Sequence, residues 1–162
     1  MKKILASVVL ALPLLIINPV AAESPLEASM QAFVVESDSE AREKLKAATE
    51  VEPDQIVEYQ LTYTNTGKSD ISGLTVVGPV PDGTSYLPAT AATDVSASFL
   101  VSIDGGETFE REPVIRTVTQ SNGEVVEVVV PAEQYTHVQW KAESPIGSSG
   151  GKQFYRYRVR VK

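Results

Sequence analysis

The chain reads as all-β, an antiparallel sandwich of about seven to nine short strands. Three observations predict this. From Val57 to Thr64 apolar residues (Val57, Tyr59, Leu61, Tyr63) alternate strictly with polar ones (Glu58, Gln60, Thr62, Thr64), the pattern of a strand with one face buried. Further segments repeat that period, separated by Pro- and Gly-rich turns. Helical periodicity is nearly absent. A closed barrel is the alternative arrangement.

Taken in order, the chain begins with Lys2 and Lys3, an apolar run from Ile4 to Ile17 and the small residues Val20-Ala21-Ala22. This is the layout of a signal peptide, residues 1–22, cleaved after Ala22. Pro13, Asn18 and Pro19 interrupt or close a run that a retained transmembrane anchor would need clean over about 20 residues. The expected product is exported, periplasmic or extracellular, and starts at Glu23.

Residues 28–36 form a first strand. Residues 38–48 read as a charged surface loop or frayed turn ahead of a short helix: Ser37 and Glu40 have capping-box spacing, but Leu45 is the only large apolar residue on the face shared with Ala41 and Ala48. Pro53-Asp54 opens the clean strand to Thr64, and Asn65 to Asp70 is a dense turn signal that predicts a hairpin with Leu74 to Val77. Pro79, Pro81 and Asp82-Gly83 stop that pairing, and Thr84 to Leu87 resume it briefly. A strand with Ala97, Phe99, Val101 and Ile103 ends at Asp104-Gly105-Gly106. Val114 to Thr119 and Glu124 to Val130 flank Asn122-Gly123, a strong hairpin signal. Val138, Trp140 and Ala142 make the next inward row. In the last strand Tyr155, Tyr157, Val159 and Val161 oppose Arg156, Arg158, Arg160 and Lys162. The expected core is Tyr59, Leu61, Tyr63, Phe99, Val101, Trp140 and Tyr157, with Trp140 between the sheets near Tyr59 or Tyr63.

The 162 residues carry 14 basic and 21 acidic side chains. Loss of Lys2 and Lys3 leaves 12 against 21, a formal charge of −9, which disfavours nucleic acid as a partner. There is no cysteine, so no disulfide staples the domain and no thiolate serves chemistry. The core alone must stabilise it, and at this length about two-thirds of the unfolded surface is buried. Residues 23–50 are expected to pack with the domain formed by residues 51–162.

Val51-Glu52-Pro53-Asp54, Val57-Glu58-Tyr59, Asn65-Thr66-Gly67, Val76 and Pro79-Val80-Pro81-Asp82-Gly83-Thr84-Ser85-Tyr86 together resemble the bacterial conserved-repeat domain of unknown function eleven. Trp140 and the closing Phe154 to Val161 are in keeping with it. Here Pro53-Asp54 stands where the family has Pro-Gly-Asp, and there is one copy where many members carry arrays. The resemblance implies an immunoglobulin-like sandwich over residues 51–162, a scaffold or adhesive module of exported and surface-attached proteins, and it supplies no catalytic residue.

Ser102, Asp104, Gly106, Thr108 and Phe109 fit the Asp-box pattern S-x-D-x-G-x-T-aromatic. Sialidase-type propellers repeat it in every blade, whereas a single copy is expected only to build a turn: Ser and Asp side chains satisfy its amides, Gly takes positive φ and the aromatic plugs the hairpin. His137 is the only histidine. Gln139 and Lys141, on its face of the strand, offer it no triad or metal partner, so it is expected to face solvent. Asp94 and Asp104 could reach calcium only without a preorganised D-x-D-x-D-G loop. No carboxylate pair is marked for glycosidic chemistry. No catalytic residue, cofactor or metal site is therefore expected.

Five of the 12 basic residues of residues 23–162 fall between Lys152 and Lys162. Arg156, Arg158, Arg160 and Lys162 would form a cationic stripe for an anionic ligand such as an acidic glycan, or for an envelope protein. The reading favoured over that is a strand at or near a sheet edge, its charges outward as protection or paired with acidic neighbours. The expected function is a non-enzymatic structural or binding module of the bacterial periplasm or cell envelope. The alternatives are a small secreted carbohydrate-active hydrolase and a periplasmic assembly adaptor that binds a partner strand at a sheet edge.

Overall fold

The computed structural model describes residues 25–40 and 42–162. The expected signal peptide and its cleavage position lie outside the described residues. Among these residues are eleven strands and one 3-10 turn, Ala132–Gln134. The strands are β1 (Leu26–Ser37), β2 (Glu43–Ala47), β3 (Ile56–Asn65), β4 (Thr75–Pro79), β5 (Thr84–Tyr86), β6 (Ala92–Thr93), β7 (Ala97–Ser102), β8 (Ile115–Thr119), β9 (Val125–Val129), β10 (His137–Ala142) and β11 (Gly151–Val161). The count exceeds the expected range because β2 and β6 are short pieces added at the sheet edges.

The large sheet has the order β2-β1-β3-β11-β5, with β6 beside β11 on the same side as β5. The small sheet has the order β4-β10-β7. Their pairings are antiparallel. The two sheets pack face to face as an open sandwich rather than a closed barrel, because each alternating strand turns its apolar row towards the other layer.

Trp140 sits at the centre, 2% exposed. Its ring lies 5.4 Å from Phe99, 5.5 Å from Tyr155 and 6.1 Å from Tyr157 between centroids. Tyr59 stacks on Tyr157 at 5.3 Å and Tyr63 meets Tyr155 edge-on at 6.1 Å, so both expected tyrosines reach Trp140 through an intervening ring. Leu61, Val101 and Tyr157 are buried as expected, while Tyr59, Tyr63 and Phe99 are half-buried and packed against that core.

Two local expectations are corrected. Residues 38–48 are neither helix nor plain loop: β2 pairs with β1 from Ser37↔Glu43 to Phe33↔Ala47. Asp38 closes this hairpin, its carboxylate accepting from the Glu40 and Arg42 amides at 2.9 and 3.0 Å. All of β2 is exposed, and its charges suit an edge strand that must not recruit neighbours.

Asn65 to Asp70 does not close a hairpin either. It carries the chain from β3 in the large sheet to β4 in the small one. Asn65 is fully buried, and its side chain donates to Ser69 O at 2.8 Å and Ile146 O at 3.1 Å and accepts from Gly67 N at 3.0 Å. The turn residues were legible, but both edges of β3 are taken by β1 and β11. Leu74 and Val76 therefore fill the core from the opposite layer. The Asn122-Gly123 hairpin forms as expected, joining β8 to β9.

Candidate functional site

Alternation along β11 sends Tyr155, Tyr157 and Val159 into the core and leaves Lys152, Phe154, Arg156, Arg158 and Arg160 on the outer face. This strand lies near an edge, as expected, but does not form it: in the order β2-β1-β3-β11-β5 only the short β5 and β6 stand outside it. β11 is interior, held by β3 along Gly151 to Arg160 and by β5 and β6 on its other side. Its buried tyrosines need cover from neighbouring strands, and the outward charges give no information about lateral pairing.

Arg158 is the most tightly held of the four candidates. Its Nε donates to Glu58 Oε2 at 2.8 Å, and its Nη1 and Nη2 donate to Glu43 at 2.9 and 2.7 Å. Glu58 is 1% exposed and also accepts from Gln60 Nε2 at 2.7 Å. Donation to Glu43 and Glu58 raises the Arg158 pKa, and Arg158 in turn holds the Glu43 carboxyl below its ordinary range. This guanidinium ties β2, β3 and β11 together. It is a structural ion pair, the pairing with acidic neighbours that the sequence suggested.

The remaining cations are freer. Arg156 is exposed, with Nη1 3.9 Å from Glu58 Oε2. Arg160 Nη1 donates to Asp54 O at 3.2 Å, and Lys162 is exposed at the end of the stripe. Beside Arg156 opens a groove of about 310 Å³ lined by Gln60, Ala92, Thr93, Asp94, Phe154 and Arg156 among others. Asp94 fixes the backbone of Phe154: its Oδ1 accepts from Phe154 N at 2.9 Å, and Asp94 N donates to Phe154 O at 3.3 Å. The ring stays outward, 49% exposed. The groove thus sets an apolar ring beside a guanidinium, an amide and a hydroxyl, with the Asp94 carboxylate taken up by the Phe154 amide.

The Asp-box segment is a turn. Ser102 Oγ donates to Asp104 Oδ1 at 2.7 Å and accepts from Gly106 N at 2.9 Å, while Asp104 Oδ1 accepts from Thr108 N at 3.0 Å. The side-chain and backbone bonds from Thr108, then that from Ser102, hold the Asp104 carboxyl well below the carboxylate range. The returning chain pairs Glu110 with Val101. Phe109 is half-buried and lies outside the hydrophobic core.

His137 is half-buried rather than solvent-facing. Its ring lies over Gly106, where an added Cβ would be 3.4 Å from Nδ1, and Nδ1 is 3.2 Å from Thr136 Oγ1. The turn folds back onto this strand, a contact no local pattern announces. Asp94 lies beside β6 in the large sheet and Asp104 in the turn after β7 in the small one. Among the described residues no three His, Asp or Glu side chains converge where a metal could sit.

A second surface stands apart from both sheets. Among the described strands β8 and β9 pair only with each other, yet Ile115, Val118, Val125, Val128 and Val129 are exposed, Val125 by 63%. Such a ribbon is marginal in water by itself, and a concentration of exposed apolar side chains marks a contact surface. Sequence reasoning found the hairpin but missed its isolation. The signal was present in Val125-Val126 and Val128-Val129, apolar at both parities. Phe154 was missed because it interrupts the polarity expected of an outward row, and the buried Glu58 because it fits such a row and gives no sign of burial. Comparison with family models finds no match for this chain, and comparison with curated proteins finds none.

Proposed function

We propose that this protein is a non-enzymatic binding module of the bacterial periplasm or cell envelope, and that it binds an acidic glycan on the outer face of its large sheet. The observation that carries the reading is the groove beside β11, where exposed Phe154 and Arg156 border a space of about 310 Å³. The ring offers an apolar platform to the C–H face of a sugar. The guanidinium offers paired donors to its carboxylate. The signal-peptide pattern and the resemblance to a family of exported sandwich modules support the location.

The experiment is retention of the protein on immobilised polygalacturonate at low salt, with dextran as the neutral control. Wild type is expected to be retained and to elute as ionic strength rises, since exposed charges are screened beyond a Debye length of about 8 Å at physiological salt. Phe154→Ala and Arg156→Gln should each weaken retention while leaving the melting temperature nearly unchanged. Wild type passing unretained at low salt overturns the glycan reading. Turnover of a glycoside, ester or peptide panel, lost on one substitution, overturns the non-enzymatic one.

A second reading, an assembly adaptor that engages a partner strand, is favoured by the exposed β8–β9 ribbon. Its test is pull-down from periplasmic extract with wild type and Val125→Lys. Capture of one partner by both proteins equally counts against it.

A further inference from the structure

We propose that the β8–β9 ribbon is a self-association element, through which two copies of this chain pair antiparallel, β8 against β8, about a two-fold axis at Thr117. The inference is independent of the glycan reading. It starts from the hydrogen bonds of the ribbon. Gln120 N donates to Glu124 O and Val130 N donates to Val114 O, both at 2.8 Å, and the register pairs Arg116 with Val128 and Val118 with Val126. Bonded and non-bonded pairs alternate along an antiparallel ladder. Arg116 and Val118 therefore turn their backbone groups towards β9, while Ile115, Thr117 and Thr119 turn theirs outward. On β9 the outward set is Val125, Glu127 and Val129. Among the described residues no backbone bond from another element reaches either set. Ile115 O accepts from the adjacent Arg116 Nη1 at 2.9 Å, and a carbonyl has a second lone pair for a partner strand.

Both edges are open, but they are not equivalent. Pairing over the whole of β9 would set Glu127 directly against the partner's Glu127, a like-charge pair that opposes association. Pairing over β8 sets Thr117 against the partner's Thr117, Ile115 against the partner's Thr119, and Arg116 against the partner's Val118. Threonine pairs favour such positions. The Arg116 guanidinium is already neutralised by Glu110, with Nη1 2.9 Å from Oε2, so two copies bring no unbalanced charge to the axis. The contact is isologous and closes on itself as a two-fold dimer. It converts two marginal ribbons into one four-stranded sheet, gives the outward amides partners, and gives Ile115 and Val118 cross-strand neighbours.

The absence of cysteine from the sequence permits a direct test. A two-fold contact at Thr117 brings the two Cα atoms to about 5.5 Å, within disulfide reach. Under mild oxidation Thr117→Cys is expected to form a covalent dimer almost completely, while Glu127→Cys stays monomeric. Wild type should sediment as a concentration-dependent dimer, and Thr117→Lys should weaken the dimer about fivefold or more with an unchanged near-ultraviolet spectrum. Three results would each overturn the proposal. They are a wild type that is monomeric up to its solubility limit, a Glu127→Cys variant that cross-links as readily as Thr117→Cys, and a wild-type dimer indifferent to Thr117→Lys. A monomer would leave a foreign strand as the occupant of the ribbon.

Discussion

Arg158 shows how one side chain can look like a ligand contact in sequence and be a fastening in the fold. Its partner Glu58 is almost without water, so removal of the guanidinium strands a carboxylate with the Gln60 amide and a distant Arg156. Arg158→Ala is expected to cost about 3 kcal/mol in urea unfolding, and Glu43→Gln much less, since Glu43 is exposed and easily resolvated. Equal losses from the two variants would mean that the Glu58 contact adds nothing. Trp140 touches three rings from both layers. Trp140→Ala should cost about 3 to 5 kcal/mol, and a thermal melt like that of wild type would refute its central place.

Among the strands, β4 and β11 meet across the sandwich so closely that β4 must carry a glycine. A Cβ on Gly78 would fall 2.5 Å from Tyr157 Cε1 and 2.9 Å from Cζ. The ring cannot swing aside, because Tyr59 stacks on it, Trp140 packs against it and its hydroxyl donates to Pro79 O. Gly78→Ala is expected to destabilise by about 1 to 3 kcal/mol, read as a lower urea midpoint. A midpoint like that of wild type would show that the ring has room to move. Strand existence was legible in this chain because period two is a local property, plain in Tyr155, Tyr157 and Val159. Strand partnership was not. The same Asn65-x-Gly67 turn serves a hairpin or a sheet crossover, and only the occupied edges of β3 decide between them. β2 was illegible because a wholly exposed strand has no apolar row to alternate.

For the molecule taken together, both ends of the pH scale should weaken the fold. At the acid end Asp104, Glu43 and Glu110 have pKa values held below their ordinary ones, by Thr108, Arg158 and Arg116 respectively. Their contribution is complete above the unfolded values near pH 4 and is lost as pH falls through the folded ones. Asp104→Asn should flatten that acid limb. At the alkaline end burial pushes Tyr155 up to about 12 and raises Tyr86 and Tyr157 further. The folded state then binds more protons than the unfolded one above about pH 10, so stability present below that pH falls as pH rises. Urea midpoints across pH 2 to 12 should trace both limbs. A flat profile between about pH 10 and 12 would show that these phenols do not titrate with unfolding.

The class of the fold, the positions of the long strands, the turns at Asp104 and Asn122-Gly123, and a core centred on Trp140 could all be read from the chain before it folded. These follow from neighbours in the chain: alternation selects a buried face, and the chemistry of Asp, Asn and Gly selects the backbone of a turn. It took the folded arrangement to make β11 interior, to consume Arg158 with Glu58 and Glu43, to bring Phe154 and Arg156 to one groove, and to leave the β8–β9 ribbon outside both sheets. Each depends on which strands lie side by side and which charges meet across them. Those are long-range choices, settled by burying one apolar face against another, and no local period encodes them.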